Sequence, residues 1–121
     1  MPQAQAAELL RIHISESDRH GGKPLYEAIV AKCRELKIAG ATVLCGVEGY
    51  GETAAMHRAH LVHSDRPVVI TVVDTAENIG RLIPVVAEMI DTGLMATSPV
   101  ETIRVQKSAA KPVEHPKGTG V

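Results

Sequence analysis

The sequence has no Trp and no Phe, and its only aromatics are Tyr26 and Tyr50. An interior built on aromatic rings is thereby excluded. Val, Ile, Leu and Ala must fill the core, which suits short strands packed under two helices. Cysteine is nearly absent too. Cys33 and Cys45 are the only two, and their spacing fits no metal or redox motif. Cys33 falls in a helical pattern and Cys45 in a strand pattern. They read as buried free thiols rather than a disulfide, which favours a reducing compartment. No apolar run approaches the roughly 20 residues of a membrane helix. No basic stretch followed by an apolar one opens the chain, so no signal peptide is evident. A soluble, cytoplasmic protein is expected.

Charge of one sign is missing as well. The formal net charge is −1 at pH 7, so no basic surface speaks for nucleic acid. There is no nucleophile elbow and no glycine–lysine phosphate motif. The carboxylates Glu48 and Glu52 fall into no placed acid/base pair. A non-enzymatic role is expected.

What is present is a single-domain length of 121 residues. A core of this size leaves limited margin, which oligomerisation can supply. Met1 to Ala7 is a small-residue lead without pattern, expected to be flexible. Glu8 to Ser15 alternates, with Leu9, Arg11 and His13 on one side and Leu10, Ile12 and Ile14 on the other, and predicts a first strand. A polar Gly-containing loop, Ser17 to Lys23, leads to Pro24, where a helix can begin. Leu25, Ile29, Val30, Cys33 and Leu36 recur at helical spacing opposite Lys32, Arg34, Glu35 and Lys37. Gly40 closes that unit.

Thr42 to Val47 predicts a second strand, and Glu48 to Ala55 a flexible connection. His57 to His63 reads as another strand before the Ser64–Pro67 turn. Val68 to Val73 is the most apolar strand, expected to be central and buried on both faces. Thr75 is an N-cap, with Asn78 three places on. Ile79, Leu82, Ile83, Val86, Met89 and Ile90 form a second amphipathic helix that Gly93 stops. A last strand runs from Pro99 to Val105. The Lys-, Pro- and Gly-containing tail from 107 to 121 is expected to be disordered. The order strand, helix, strand, strand, helix, strand predicts an α+β, ferredoxin-like βαββαβ sandwich over residues 8–106. Its antiparallel sheet would carry both helices on one face. The other face must be solvated or covered by a partner.

Four sets of residues are candidates for a site. Glu16, Asp18, Arg19, His20 and Lys23 cluster after the first strand, as a ligand site or as a solvated loop with internal ion pairs. Gly46, Gly49 and Gly51 follow the second strand, where glycine permits tight turns and close backbone approach; Tyr50 sits among them. His57, His60 and His63 invite a metal reading. On a strand, however, His57 and His63 face one way and His60 the other. Arg104 lies near the end of the last strand.

Several blocks occur together in order: Glu16-Ser-Asp-Arg-His-Gly-Gly-Lys-Pro-Leu-Tyr-Glu-Ala-Ile-Val30, Gly40-Ala-Thr-Val43, Gly49-Tyr50-Gly51, His57, and Pro67-Val-Val-Ile-Thr-Val-Val-Asp74. Together they resemble the bacterial family called domain of unknown function 190, over roughly residues 9 to 105. That family is similar to the nitrogen-regulatory PII proteins, a likeness that Thr102-Ile-Arg-Val105 extends. The resemblance implies a homotrimer with ligand clefts between subunits that hold adenine nucleotides in PII. It implies a loop after the second strand that docks on a membrane transporter or enzyme. Gly49, Tyr50 and Gly51 match the base of that loop, His57 fits the family pattern and Arg104 matches the first of two arginines in the last strand. Gln106 stands where PII has the second arginine. Asp91-Thr-Gly-Leu-Met-Ala-Thr97 stands where PII has a Gly- and Lys-rich phosphate loop. A small anion is therefore as plausible a ligand as an adenine nucleotide. The alternatives are a divalent-metal trimer of the copper-tolerance type using His57 and His60, or a structural trimer without ligand.

Overall fold

The computed structural model describes residues 3–48 and 65–107. β1 (Ala4–Ser15) leads to a small hairpin of β2 (Arg19–His20) and β3 (Lys23–Pro24), then α1 (Leu25–Glu35). β4 (Thr42–Cys45), β5 (Pro67–Asp74), α2 (Ala76–Met89) and β6 (Leu94–Ile103) follow. The main sheet has the order β4-β5-β1-β6, and every pair in it is antiparallel. This is the ferredoxin-like arrangement of two interleaved βαβ units.

Alternation along the strands sets the core. The register pairs Leu10 with Val72, Ile12 with Ile70 and Ile14 with Val68. All six are buried, and they share one face because strand side chains alternate. Onto that face α1 lays Leu25, Ile29 and Cys33, one helical turn apart. α2 adds Ile79, Leu82 and Val86. The cluster is aliphatic throughout, apart from the Cys33 thiol.

The ends of the helices follow from local chemistry. Thr75 caps α2, its hydroxyl accepting from the Asn78 N–H at 3.0 Å. α1 ends at Glu35, five residues before Gly40. The Ile38 N–H reaches the Cys33 carbonyl and the Lys37 N–H the Arg34 carbonyl, at 2.9 and 3.0 Å. That is a Schellman turn, with buried Ile38 as its apolar contact. It places Lys37 at φ 61°, a left-handed conformation that glycine holds without strain. Nothing in the residue types announced a lysine in that role.

Four expectations need correcting. Residues 4–7 are not a flexible lead. They extend β1 against Val100–Ile103 of β6, because paired backbone needs no apolar side-chain pattern. β6 starts at Leu94 rather than Pro99; Met95, opposite Ile12, packs on the core and anchors it. β5 is central but not buried on both faces. Val68, Ile70 and Val72 are buried, whereas Val69, Thr71 and Val73 are only half-buried. Its β-branched run reflects strand preference on both faces and burial on one. Finally, Cys45 is exposed while Cys33 is buried, and both are free thiols. Cys45 sits near the end of edge strand β4. The expected strand from His57 to His63 lies outside the described residues.

Candidate functional site

The polar cluster after β1 folds as a compact turn. The Ser15 N–H donates to the Asp18 carboxylate at 2.9 Å. The Asp18 N–H returns to the Ser15 carbonyl at 3.0 Å, and the Asp18 carbonyl accepts from the Leu25 N–H at 2.8 Å. Asp18 thus closes the exit from β1 and meets one of the free donors at the start of α1. Gly21 and Gly22 have φ of 59° and 81°. Positive φ at both central residues is the requirement of a two-residue type I′ hairpin. Arg19 donates to the Gly22 carbonyl at 2.9 Å, and His20 and Lys23 are exposed. Glu16 accepts from Arg66 Nε at 3.2 Å, while its own N–H donates to the Arg66 carbonyl at 2.8 Å. Arg19, His20 and Lys23 are therefore presented outward, whereas the carboxylates of Glu16 and Asp18 are engaged within the chain.

The same end of the sheet carries two further turns. The Gly46 N–H donates to the Pro67 carbonyl at 2.7 Å, so the residue just past β4 lies beside the start of β5. Gly49, Tyr50, Gly51 and His57, and the alternative metal ligand His60, lie outside the described residues. The turn between α2 and β6 closes over β1 at Gly93. A Cβ there would stand 3.0 Å from the His13 carbonyl oxygen and 2.9 Å from Ile90 Cγ2, which excludes any larger residue without movement.

Arg104 is at the other end. Ala4 pairs with Ile103, and Ser15 with Pro67. At about 3.4 Å per residue, the twelve residues of β1 separate the two ends by roughly 37 Å. Arg104 lines a groove of about 560 Å³ with Gln3, Gln5, Thr102 and Ile103. The Thr102 hydroxyl donates to the Gln5 carbonyl at 3.3 Å. Gln5 and Thr102 pair across the ribbon, on the sheet face away from the helices. Sequence reasoning missed Gln3, Gln5 and Thr102 as groove residues. Gln3 and Gln5 fall in a stretch without apolar alternation, and only the register of β6 brings them beside Arg104.

Two other features are structural. Asp74 joins the loop after α1 to the start of α2. Its carboxylate accepts from the Ala39 N–H at 2.8 Å, the Thr75 N–H at 2.6 Å and the Asn78 amide at 3.0 Å. Arg81 extends the network, donating to Asn78 Oδ1 at 2.9 Å and to the Leu36 carbonyl at 3.2 Å. Desolvation pushes the Asp74 carboxyl up. The hydrogen bonds from Ala39, Thr75 and Asn78 and the Arg81 charge outweigh it and hold the group below the usual Asp range. Burial pushes the Cys33 thiol up, which suits an inert core residue. Among the described residues no group of three His, Cys, Asp or Glu side chains could hold a metal ion. No described helix is long and apolar enough to cross a membrane.

This architecture is the PII-like, ferredoxin-type fold. CPII, a nitrogen regulatory PII-like protein of Thiomonas intermedia, superposes in its apo form with a TM-score of 0.60 at 13% identity, covering 87% of this chain and 100% of that one. In a structure bound to ADP, AMP and bicarbonate the TM-score is 0.56 at 14% identity, covering 86% of this chain and 100% of CPII. At the level of sequence the likeness is closer to another group. A UPF0166 protein of Aquifex aeolicus is 34% identical over 98 residues, 79% of this chain and 92% of the relative. The model of the DUF190 family, described as an uncharacterized ACR, matches residues 7–102. The chain belongs to that family.

Proposed function

We propose that this protein is a non-enzymatic, PII-like regulator in signal transduction. It assembles as a homotrimer through the open face of its sheet. It binds a small anionic metabolite or an adenine nucleotide in clefts between subunits. The observation that carries this reading is the position of the Arg104 groove. It opens at one end of the uncovered face, roughly 37 Å from the hairpin of Arg19 and Lys23. One copy cannot bring the two sets together, whereas a second copy against that face can. Arg104 then supplies positive charge from one subunit. Glu16, Asp18, Arg19 and Lys23, with Gly49, Tyr50, Gly51 and His57, border the cleft from its neighbour. CPII, which shares the fold, was crystallised with ADP, AMP and bicarbonate, which supports that ligand class. Ligand binding at the cleft would bias the segment around Gly49 to His57 and so its docking on a membrane transporter or enzyme.

The test is a thermal-shift titration of the purified protein with ADP, AMP and bicarbonate. A ligand that binds only the folded state raises its melting temperature. The expected result is a saturable rise with one of these ligands, lost in Arg104→Ala. No rise with any of the three overturns the ligand assignment.

A further inference from the structure

The open face of the sheet can be followed row by row from the strand register. One row runs Leu44, Val69, His13, Leu94 and the next Thr42, Thr71, Arg11, Ala96. Beyond them Val73, Leu9 and Ser98 form a third, and Ala7 pairs with Val100. Leu44 and Leu94, at the two ends of the first row, are each 58% exposed. Across these rows the only ionisable side chains are Arg11 and His13, two residues apart on β1, so both point to the open side. No carboxylate faces them from β4, β5 or β6. Other charged groups lie in turns past the end of the strands. Among the described residues they include Asp91 before Gly93, and Glu16, which is held by Arg66 at 3.2 Å.

We infer that His13 makes assembly of this face pH-dependent, with copies associating when the imidazole is neutral and separating when it is protonated. The inference rests on the proposed packing of copies through this face. Covering the face moves His13 into an apolar row between Val69 and Leu94. Burial disfavours the charged imidazole, and so does the neighbouring Arg11. The long Arg11 side chain can carry its charge to the rim, whereas the short imidazole cannot. Imidazole is the side chain whose charge changes in the range from about pH 5 to about pH 8. The sign follows. A group that is harder to protonate in the assembled state favours assembly above its free-state titration, and that contribution is lost as pH falls.

The experiment is sedimentation velocity of the full chain at pH about 8 and about 5.5, with His13→Gln alongside and far-UV circular dichroism on each sample. The expected result is an oligomer at the higher pH that weakens at least tenfold at the lower pH in the wild type. His13→Gln should stay assembled at both, and all samples should stay folded. A wild type assembled equally at both pH values overturns the gate and leaves the assembly intact. A variant that dissociates on acidification like the wild type also overturns it. Loss of the far-UV signal at low pH in both proteins assigns the dissociation to unfolding and overturns it too. A wild type that is monomeric at both pH values removes the packing and the gate together.

Discussion

Ile70 and Thr71 are neighbours in β5, yet they belong to two different surfaces. Ile70 is fully buried under the helices, opposite Ile12, while Thr71 is half-buried opposite Arg11 on the open side. On one face three successive rungs of the central strands, Leu10–Val72, Ile12–Ile70 and Ile14–Val68, are aliphatic and closed by α1 and α2. On the other, aliphatic residues are interleaved with Thr, Ser, His and Arg, and none of the described elements covers them. The described core therefore lies on the first face, and the second is the one left open among the described residues.

That division can be broken most sharply at Ile70. Ile70→Ala removes buried methyl groups and is expected to cost about 2–5 kcal/mol, whereas Thr71→Ala should lie within about 0.5 kcal/mol. Urea unfolding of dilute protein measures both, and equal losses would erase the distinction. A smaller effect of about 1–3 kcal/mol is expected for Asp74→Ala, which strands the donors of Ala39, Thr75 and Asn78 on the helix side. The same group sets a pH dependence. Because the folded state lowers its pKa, its contribution is complete above the ordinary Asp range near pH 3.9. It fades as pH falls through the lower folded value. Thermal melts should lose stability in that acid window less steeply in Asp74→Asn than in the wild type.

On the open face, Leu94→Asp sharpens the contrast from the other side. It should weaken self-association at least tenfold, about 1.4 kcal/mol, with the subunit still folded; light scattering with circular dichroism reads both. The smallest expected change is a gain. Lys37→Gly relieves a left-handed lysine and should stabilise by about 0.5–1 kcal/mol after the added freedom of the unfolded chain is counted. A loss on calorimetry would mean that the lysine side chain makes a contribution of its own.

How much of this was legible in the sequence divides along the same line. The covered face announced itself, because Leu10, Ile12 and Ile14 alternate and Ile79, Leu82 and Val86 repeat with helical period. Burial is a property that single side chains display. The antiparallel sheet with both helices on one face followed from the element order and the family blocks. Pairing of low-pattern residues did not show, and so Ala4 to Ala7 and the start of β6 were misjudged. Their partners lie far along the chain, and their side chains carry no signal of register. The groove of Gln3, Gln5 and Thr102 beside Arg104 was hidden for the same reason. In the polar cluster, residue types suggested either a site or a self-satisfied loop. The structure shows Asp18 and Glu16 bonded inside the chain, with Arg19, His20 and Lys23 facing out.

The central position of β1 has a further consequence, in the order of events during folding. The first strand of the chain pairs on both sides with late ones, Ile14 with Val68 and Ala4 with Ile103. Its ladder with β5 cannot form until the chain from Pro67 on has been synthesised, nor that with β6 until the chain from Leu94 on. Closing chain segments this long carries an entropic cost before any contact returns it. On a ribosome, the β2–β3 hairpin and α1 are the described elements that need no later partner strand. β6, the last described strand, would add to the free side of β1 and complete the sheet.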